Sequence, residues 1–200
     1  MKGMQGRLLK QKNGYYHLKI GYADRRFLFL TIPVLLLIIG FLAVCVYREI
    51  PATKWRLVHF LAIYAVAALL YLNIGVWLHE QLHCLAFRNS KYVNRVQFIY
   101  ERKCTLILRG HYRVSGAIDY HTMQRALLGP ALLVVGLLVI GWVGSLVMPG
   151  WWFATMASLA VVAVMDMIHD IYMYLQIRLI GAKGIYWDKG HHLKVTWKKE

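Results

Sequence analysis

Acidic residues are scarce in this chain: nine Asp and Glu stand against 24 Lys and Arg, for a formal charge of +15. Cysteine is nearly as rare, at Cys45, Cys84 and Cys104 only. Three thiols, two of them inside apolar runs, supply no disulfide framework and exclude a small disulfide-held secreted scaffold. There is no low-complexity segment and no repeat longer than short hairpin patterns. The basic excess also lacks the aromatic and basic signature of a module that reads RNA or DNA, which excludes nucleic acid as the expected partner. No small-residue cleavage site follows the first apolar run, so that run is expected to stay as an anchor.

Apolar side chains, by contrast, are abundant. The chain is 59% hydrophobic and 14% aromatic, with a mean hydropathy of +0.47, more than soluble domains usually carry. A helix needs about 20 apolar residues to cross a bilayer, and four segments qualify: 27–47, 57–87, 126–148 and 151–180. The expected fold class is mainly α, a single membrane domain over 1–200 that is polytopic, with about four transmembrane helices. Lys and Arg number seven in 1–26, three in 48–56, eight in 88–125, none in the Met-Pro-Gly turn and six in 178–200. That alternation predicts cytoplasmic N- and C-termini in an integral membrane protein of a bacterial-type cell membrane. Its basic arms would face anionic lipid headgroups.

Short cytoplasmic β-hairpins are expected at 8–20 around Asn13-Gly14, at 92–114 around residues 101–103, and at 184–197 around Asp188-Lys189-Gly190. Asp119 is placed to cap an amphipathic helix leading into the third span, and Pro130 to kink that span.

Against this background, WLHEQLHCLAF (77–87) sets ionisable groups inside an apolar helix. His79-Glu80-Gln81-Leu82-His83 is an H-E-x-x-H motif, whose histidines lie about 40° apart on one helix face, one turn apart. Both imidazoles can reach one Zn²⁺, while Glu80 is turned towards a water beside it, as a general base requires. The blander account is a polar cluster hydrogen-bonded to a neighbouring helix. Glu80 argues against it, because an ionised carboxylate in hydrocarbon costs at least about 3 kcal/mol without a cavity, a partner or a metal.

A catalytic zinc takes three protein ligands and leaves one position open, so a third ligand must come from elsewhere. The fourth span offers Asp166, His169 and Asp170. His79 and His83 precede the flanking Arg88 by nine and five residues; Asp170 precedes Arg178 by eight, His169 by nine and Asp166 by twelve. Asp170 and His169 therefore share the depth of the histidine pair, and Asp166 lies roughly 6 Å deeper. Asp170 is the favoured third ligand, with Asp166 and His169 as alternatives or supporting groups. Asn73 falls within about 20° of Glu80 on the helical wheel and lines the same polar face. Gly75 is a place where another helix could approach closely.

HEQLHCLAF is similar to the HE-L-HG-LAF run of a family of small multi-pass membrane zincin peptidases, related in outline to site-2 proteases. HDIYMYLQIRLIGAKGIYWDKG (169–190) resembles that family's second block, whose aspartate falls on Asp170. Cys84 stands where the family pattern has glycine, and the N-x-x-P-x-x-x-x-D-G block of site-2 proteases is absent. The resemblance implies a membrane-embedded zinc metalloprotease acting on membrane proteins or peptides. A His-His-Asp set also suits Fe²⁺ or Co²⁺. The 92–114 hairpin would offer an edge to which a substrate segment could pair. Two rival expectations are a catalytically inactive scaffold or pseudoprotease, and a membrane di-metal oxygenase. The latter needs several histidine boxes, whereas His191-His192 is the only adjacent pair.

Overall fold

The computed structural model describes residues 10–12, 15–21, 29, 32–38, 40, 41, 44, 54–88, 90, 93–102, 108–149, 151–181, 184–188 and 192–198. About half of the expected first span, 27–47, lies outside them, while 32–38 are helical. The described residues are mainly helical, with two small antiparallel sheets among them.

Three helical stretches, Arg56–Arg88, Tyr120–Gly144 and Trp151–Ile180, are long and apolar enough to cross a membrane. The first is built from α1 (Arg56–Leu70), a π-helical turn (Tyr71–Gly75) and α2 (Val76–Arg88). The second is α3 (Tyr120–Leu128) followed by α4 (Ala131–Gly144), and the third is the unbroken α5 (Trp151–Ile180). Large apolar side chains such as Leu61, Leu132, Val135, Val139 and Trp142 point outward from these helices.

The Asp119 side chain accepts from the backbone N–H of Thr122 at 2.9 Å and caps α3, satisfying a donor that the first helical turn leaves without an internal partner. Part-burial works against ionisation of Asp119, but hydrogen bonds from Thr122, its own backbone and Ser90 outweigh it and hold the carboxyl below its ordinary range. Between α3 and α4 the chain turns at Gly129-Pro130. Proline has no N–H to return to the carbonyl four residues back, which here is that of Ala126.

The strands lie beyond the helix ends. β1 (Lys10–Lys12) and β2 (Tyr15–Gly21) pair with Lys12 opposite Tyr15, leaving the two residues Asn13-Gly14 between them. β3 (Val93–Arg102) pairs with β4 (Leu108–Gly116) in a separate two-stranded sheet. Glu101 and Arg102 belong to β3, so this hairpin turns between Arg102 and Leu108, not at 101–103 as expected. The strand runs on to Gly116 because the inward residues Tyr112 and Val114 pack on the helices. β5 (Ile185–Asp188) pairs with β6 (His192–Lys198). β6 also pairs with β2 over seven positions, from Tyr15 opposite Lys198 to Gly21 opposite His192. The four-stranded sheet therefore runs β1-β2-β6-β5 and joins the two ends of the chain. The sequence pattern marked hairpins but carried no signal for this long-range pairing.

The compact core sits where helix ends meet strands. Phe87 of α2, Met123, Ala126 and Leu127 of α3, Tyr172, Met173 and Ile177 of α5, Val114 of β4 and Tyr186 of β5 pack together. Ile118 and Tyr186 exchange two backbone hydrogen bonds, 2.8 and 3.0 Å, tying the β4 end to β5. Burial pushes the Tyr186 hydroxyl above its ordinary range, with Tyr120 adding to the shift, so it stays protonated. It donates to the carbonyls of Gly181 (3.0 Å) and Ile177 (3.3 Å) at the end of α5. This core clamps α2 against α5 at the level of the H-E-x-x-H motif.

Candidate metal centre

His79 and His83 lie one turn apart on α2, both buried, and their rings meet edge-on with centroids 4.8 Å apart. Asp170 comes from α5. Its Oδ2 stands 3.1 Å from His79 Nε2 and 3.3 Å from His83 Nε2, and the two Nε2 atoms are 3.1 Å apart. Three side-chain atoms thus form a nearly equilateral triangle. Among the described residues this is the group of His, Cys, Asp or Glu close enough to share one ion. Ligands about 2.0–2.1 Å from a tetrahedral Zn²⁺ stand roughly 3.3 Å from one another, so the residues fit such an ion.

Protonation sharpens the fit. His83 Nδ1 is 2.8 Å from the carbonyl oxygen of Ala126. A carbonyl can only accept, so Nδ1 carries the proton, and in the neutral form of the ring the lone pair is then at Nε2. Pro130 contributes here, since the Ala126 carbonyl receives no helical bond from residue 130. Gly129 lets α3 come close: a Cβ there would sit 3.1 Å from the Leu82 carbonyl oxygen.

His79 Nδ1 faces Asp166 Oδ2 at 3.3 Å. The two are close but poorly aimed, and Nδ1 makes no hydrogen bond. Each histidine thus has an acceptor behind it and its Nε2 turned towards the Asp170 carboxylate. That arrangement sets His79 Nε2, His83 Nε2 and Asp170 Oδ2 facing one another within 3.1–3.3 Å. Asp170 Oδ2 is buried and, for all its near neighbours, makes no hydrogen bond of acceptable geometry. Glu80, next to His79, has its Oε2 buried and equally unpartnered.

The remaining sequence candidates fall around this triangle rather than in it. The Asp166 side chain is 40% exposed and accepts a 3.0 Å hydrogen bond from the Tyr71 hydroxyl, so it stands behind His79. His169 is exposed on α5. The Asn73 amide donates to the Leu69 carbonyl at 2.7 Å, back along its own helix. Gly75 makes room for the Tyr71 ring, which a Cβ there would strike, and not for another helix. Cys84 is a buried free thiol. Tyr112 of β4 stacks obliquely on His83, ring centroids 4.8 Å apart, and on Phe87 at 5.3 Å.

Tyr71 and Tyr112 are the two neighbours that the sequence did not single out. Nothing in the spacing marks Tyr112. Tyr71 was hidden by the π-helical turn, which displaces it from its position on a regular wheel.

No protein-family model matches this chain, and neither a curated protein nor a solved structure matches it. The likeness to membrane zincins therefore rests on the quoted motifs, and the chemistry rests on the geometry of these side chains.

Proposed function

We propose that this protein is a membrane-embedded zinc metallopeptidase of site-2-protease-like character, with His79, His83 and Asp170 as ligands and Glu80 as general base. One observation carries the reading: three possible ligand atoms, His79 Nε2, His83 Nε2 and Asp170 Oδ2, converge within 3.1–3.3 Å of one another. Zn²⁺ held there supplies Lewis-acid polarisation of a scissile carbonyl and lowers the pKa of water. The Glu80 carboxylate, unpartnered at Oε2, takes the proton of the attacking water. It returns that proton to the departing amine as the C–N bond breaks, so the peptide bond is replaced by a carboxylic acid and an amine. The Ala126 carbonyl would keep His83 in the tautomer that leaves Nε2 free, and Asp166, 3.3 Å from His79 Nδ1, is placed to do the same for His79.

Membrane insertion is part of the proposal. Three long apolar helices with outward Leu, Val and Trp side chains suit a hydrocarbon solvent better than water. The pairing of β2 with β6 supports a count of four spans. Residues 21 and 192 sit side by side, so the chain between them crosses an even number of times. Three described helices are long and apolar enough to cross, and the apolar run at 27–47 is the proposed fourth. The distribution of Lys and Arg then sets both ends in the cytoplasm. With Tyr112 against His83, the β3–β4 hairpin lies beside the site, where an extended segment of a membrane or membrane-proximal substrate could add as a further strand.

The test is zinc content per chain, by mass spectrometry, on detergent-purified wild type and Asp170→Ala side by side. The expected result is about one zinc in the wild type and a clear loss in the variant, as for a three-ligand site. A folded wild type free of zinc after loading overturns the hydrolase reading and leaves a polar cluster in a membrane scaffold.

A further inference from the structure

We infer that Tyr71, carried into place by the π-helical turn, is a positioning residue for the zinc site: it fixes Asp166, which in turn fixes His79. This rests on the zinc reading above and adds to it the element that aims one ligand. The hydroxyl of Tyr71 donates to Asp166 Oδ2 at 3.0 Å, and the same oxygen lies 3.3 Å from His79 Nδ1. A carboxylate oxygen has two lone pairs, so it can accept from both at once. Held by the tyrosine on one side, Asp166 is left one direction in which to receive the imidazole N–H.

The π-helical turn is what makes the contact. The N–H of Val76 bonds to the carbonyl of Tyr71, five residues back, so this turn holds one residue more than an α-turn. On a regular wheel Tyr71 would stand about 80° from His79; an extra residue shifts everything before it by about 100°. That brings Tyr71 to within about 20° of His79, two turns further along the same face. The turn also depends on Gly75, because the Tyr71 ring covers the space that a Cβ would take. Tyr71 is 2% exposed, so its hydroxyl has left water and is committed to Asp166. A second helix supplies the carboxylate, and the alignment of His79 therefore reports on how α1, α2 and α5 pack.

The experiment measures Zn²⁺ affinity by chelator competition on the detergent-purified full chain. Tyr71→Phe keeps the ring over Gly75 and removes only the hydroxyl. A purely packing role predicts no effect of this change, whereas loss of a group behind a ligand weakens zinc binding by about 10–100-fold. The thermal midpoint of the metal-free variant should stay at that of the metal-free wild type. Asp166→Asn should lose a similar factor, and adding Tyr71→Phe to it should cost nothing further, because the two act through one contact. Wild-type affinity in Tyr71→Phe overturns the inference while leaving the zinc site standing. Absence of zinc from the wild type overturns both.

Discussion

At the scale of single residues, the site is a problem of lone pairs. His83 Nδ1 is tied to the Ala126 carbonyl and His79 Nδ1 faces Asp166, so in neutral rings with Nδ1 protonated both Nε2 lone pairs meet a third acceptor, Asp170 Oδ2. Glu80 is set apart by its direction along the helix, about 100° from His79, and by the absence of a hydrogen bond at Oε2. Glu80→Gln conserves shape and removes the basic oxygen. It should keep about one zinc per chain and lower the rate of peptide cleavage by about 10²–10⁴-fold, the usual contribution of a general base. Retained cleavage in a zinc-loaded Glu80→Gln protein would assign the proton transfer to another group. The histidine pair and its glutamate were legible because H-E-x-x-H encodes geometry directly on a regular helix. Asp170 was legible from counting residues back to the flanking arginine, which measures depth. The wheel position of Asn73 assumed a constant 100° step, whereas Asn73 lies inside the π-helical turn, where the step changes.

At the scale of elements, α3 shows how a short helix holds the site together. Its N-terminus is fixed by Asp119, and its last turn delivers the Ala126 carbonyl to His83. Asp119→Ala should destabilise the protein by about 0.5–2 kcal/mol, the ordinary cost of losing such a cap, read as a lower thermal midpoint in detergent. Titration separates charge from capping. The carboxyl is held below its ordinary range in the fold, so its contribution is fully present above the unfolded value near pH 3.9. It is lost as the pH falls through the lower, folded value. Asp119→Asn keeps a capping oxygen without that titration. Its stability relative to wild type should therefore rise as the pH drops from about 5 towards 3; parallel curves would remove Asp119 from the acid sensitivity of the fold. This helix could be read from sequence, since Asp119 precedes an amphipathic run. The hairpins were legible for the same local reason, as Asn13-Gly14 sits between strand-like residues. The π-helical turn was not, because no residue type announces an extra residue in a helical turn; it is stabilised by what Tyr71 reaches on α5.

At the scale of the molecule, the two ends of the chain carry information that no local pattern holds. β2 and β6 are separated by most of the sequence, and their pairing depends on where the intervening helices bring Gly21 and His192 back together. Sequence periodicity reports the faces of elements and is silent on such a partner. The proposed even number of crossings can be tested through the same register. Lys19 and Lys194 are opposed across the β2–β6 ladder, and opposed residues in antiparallel strands have Cα atoms about 4.5–5.5 Å apart, within the span of a disulfide. With Cys45, Cys84 and Cys104 replaced by serine, Lys19→Cys combined with Lys194→Cys should close a bond under mild oxidation in intact membranes. The product is a reducible gel-mobility shift within one chain. Lys19→Cys with Lys198→Cys, four residues out of register, should remain open. Closure of the first pair alone places both ends on one side of the bilayer and assigns the run at 27–47 as the fourth crossing. If neither pair closes and a membrane-impermeant thiol reagent finds the thiols introduced at positions 19 and 194 on opposite faces, the chain crosses an odd number of times and the four-span arrangement is wrong.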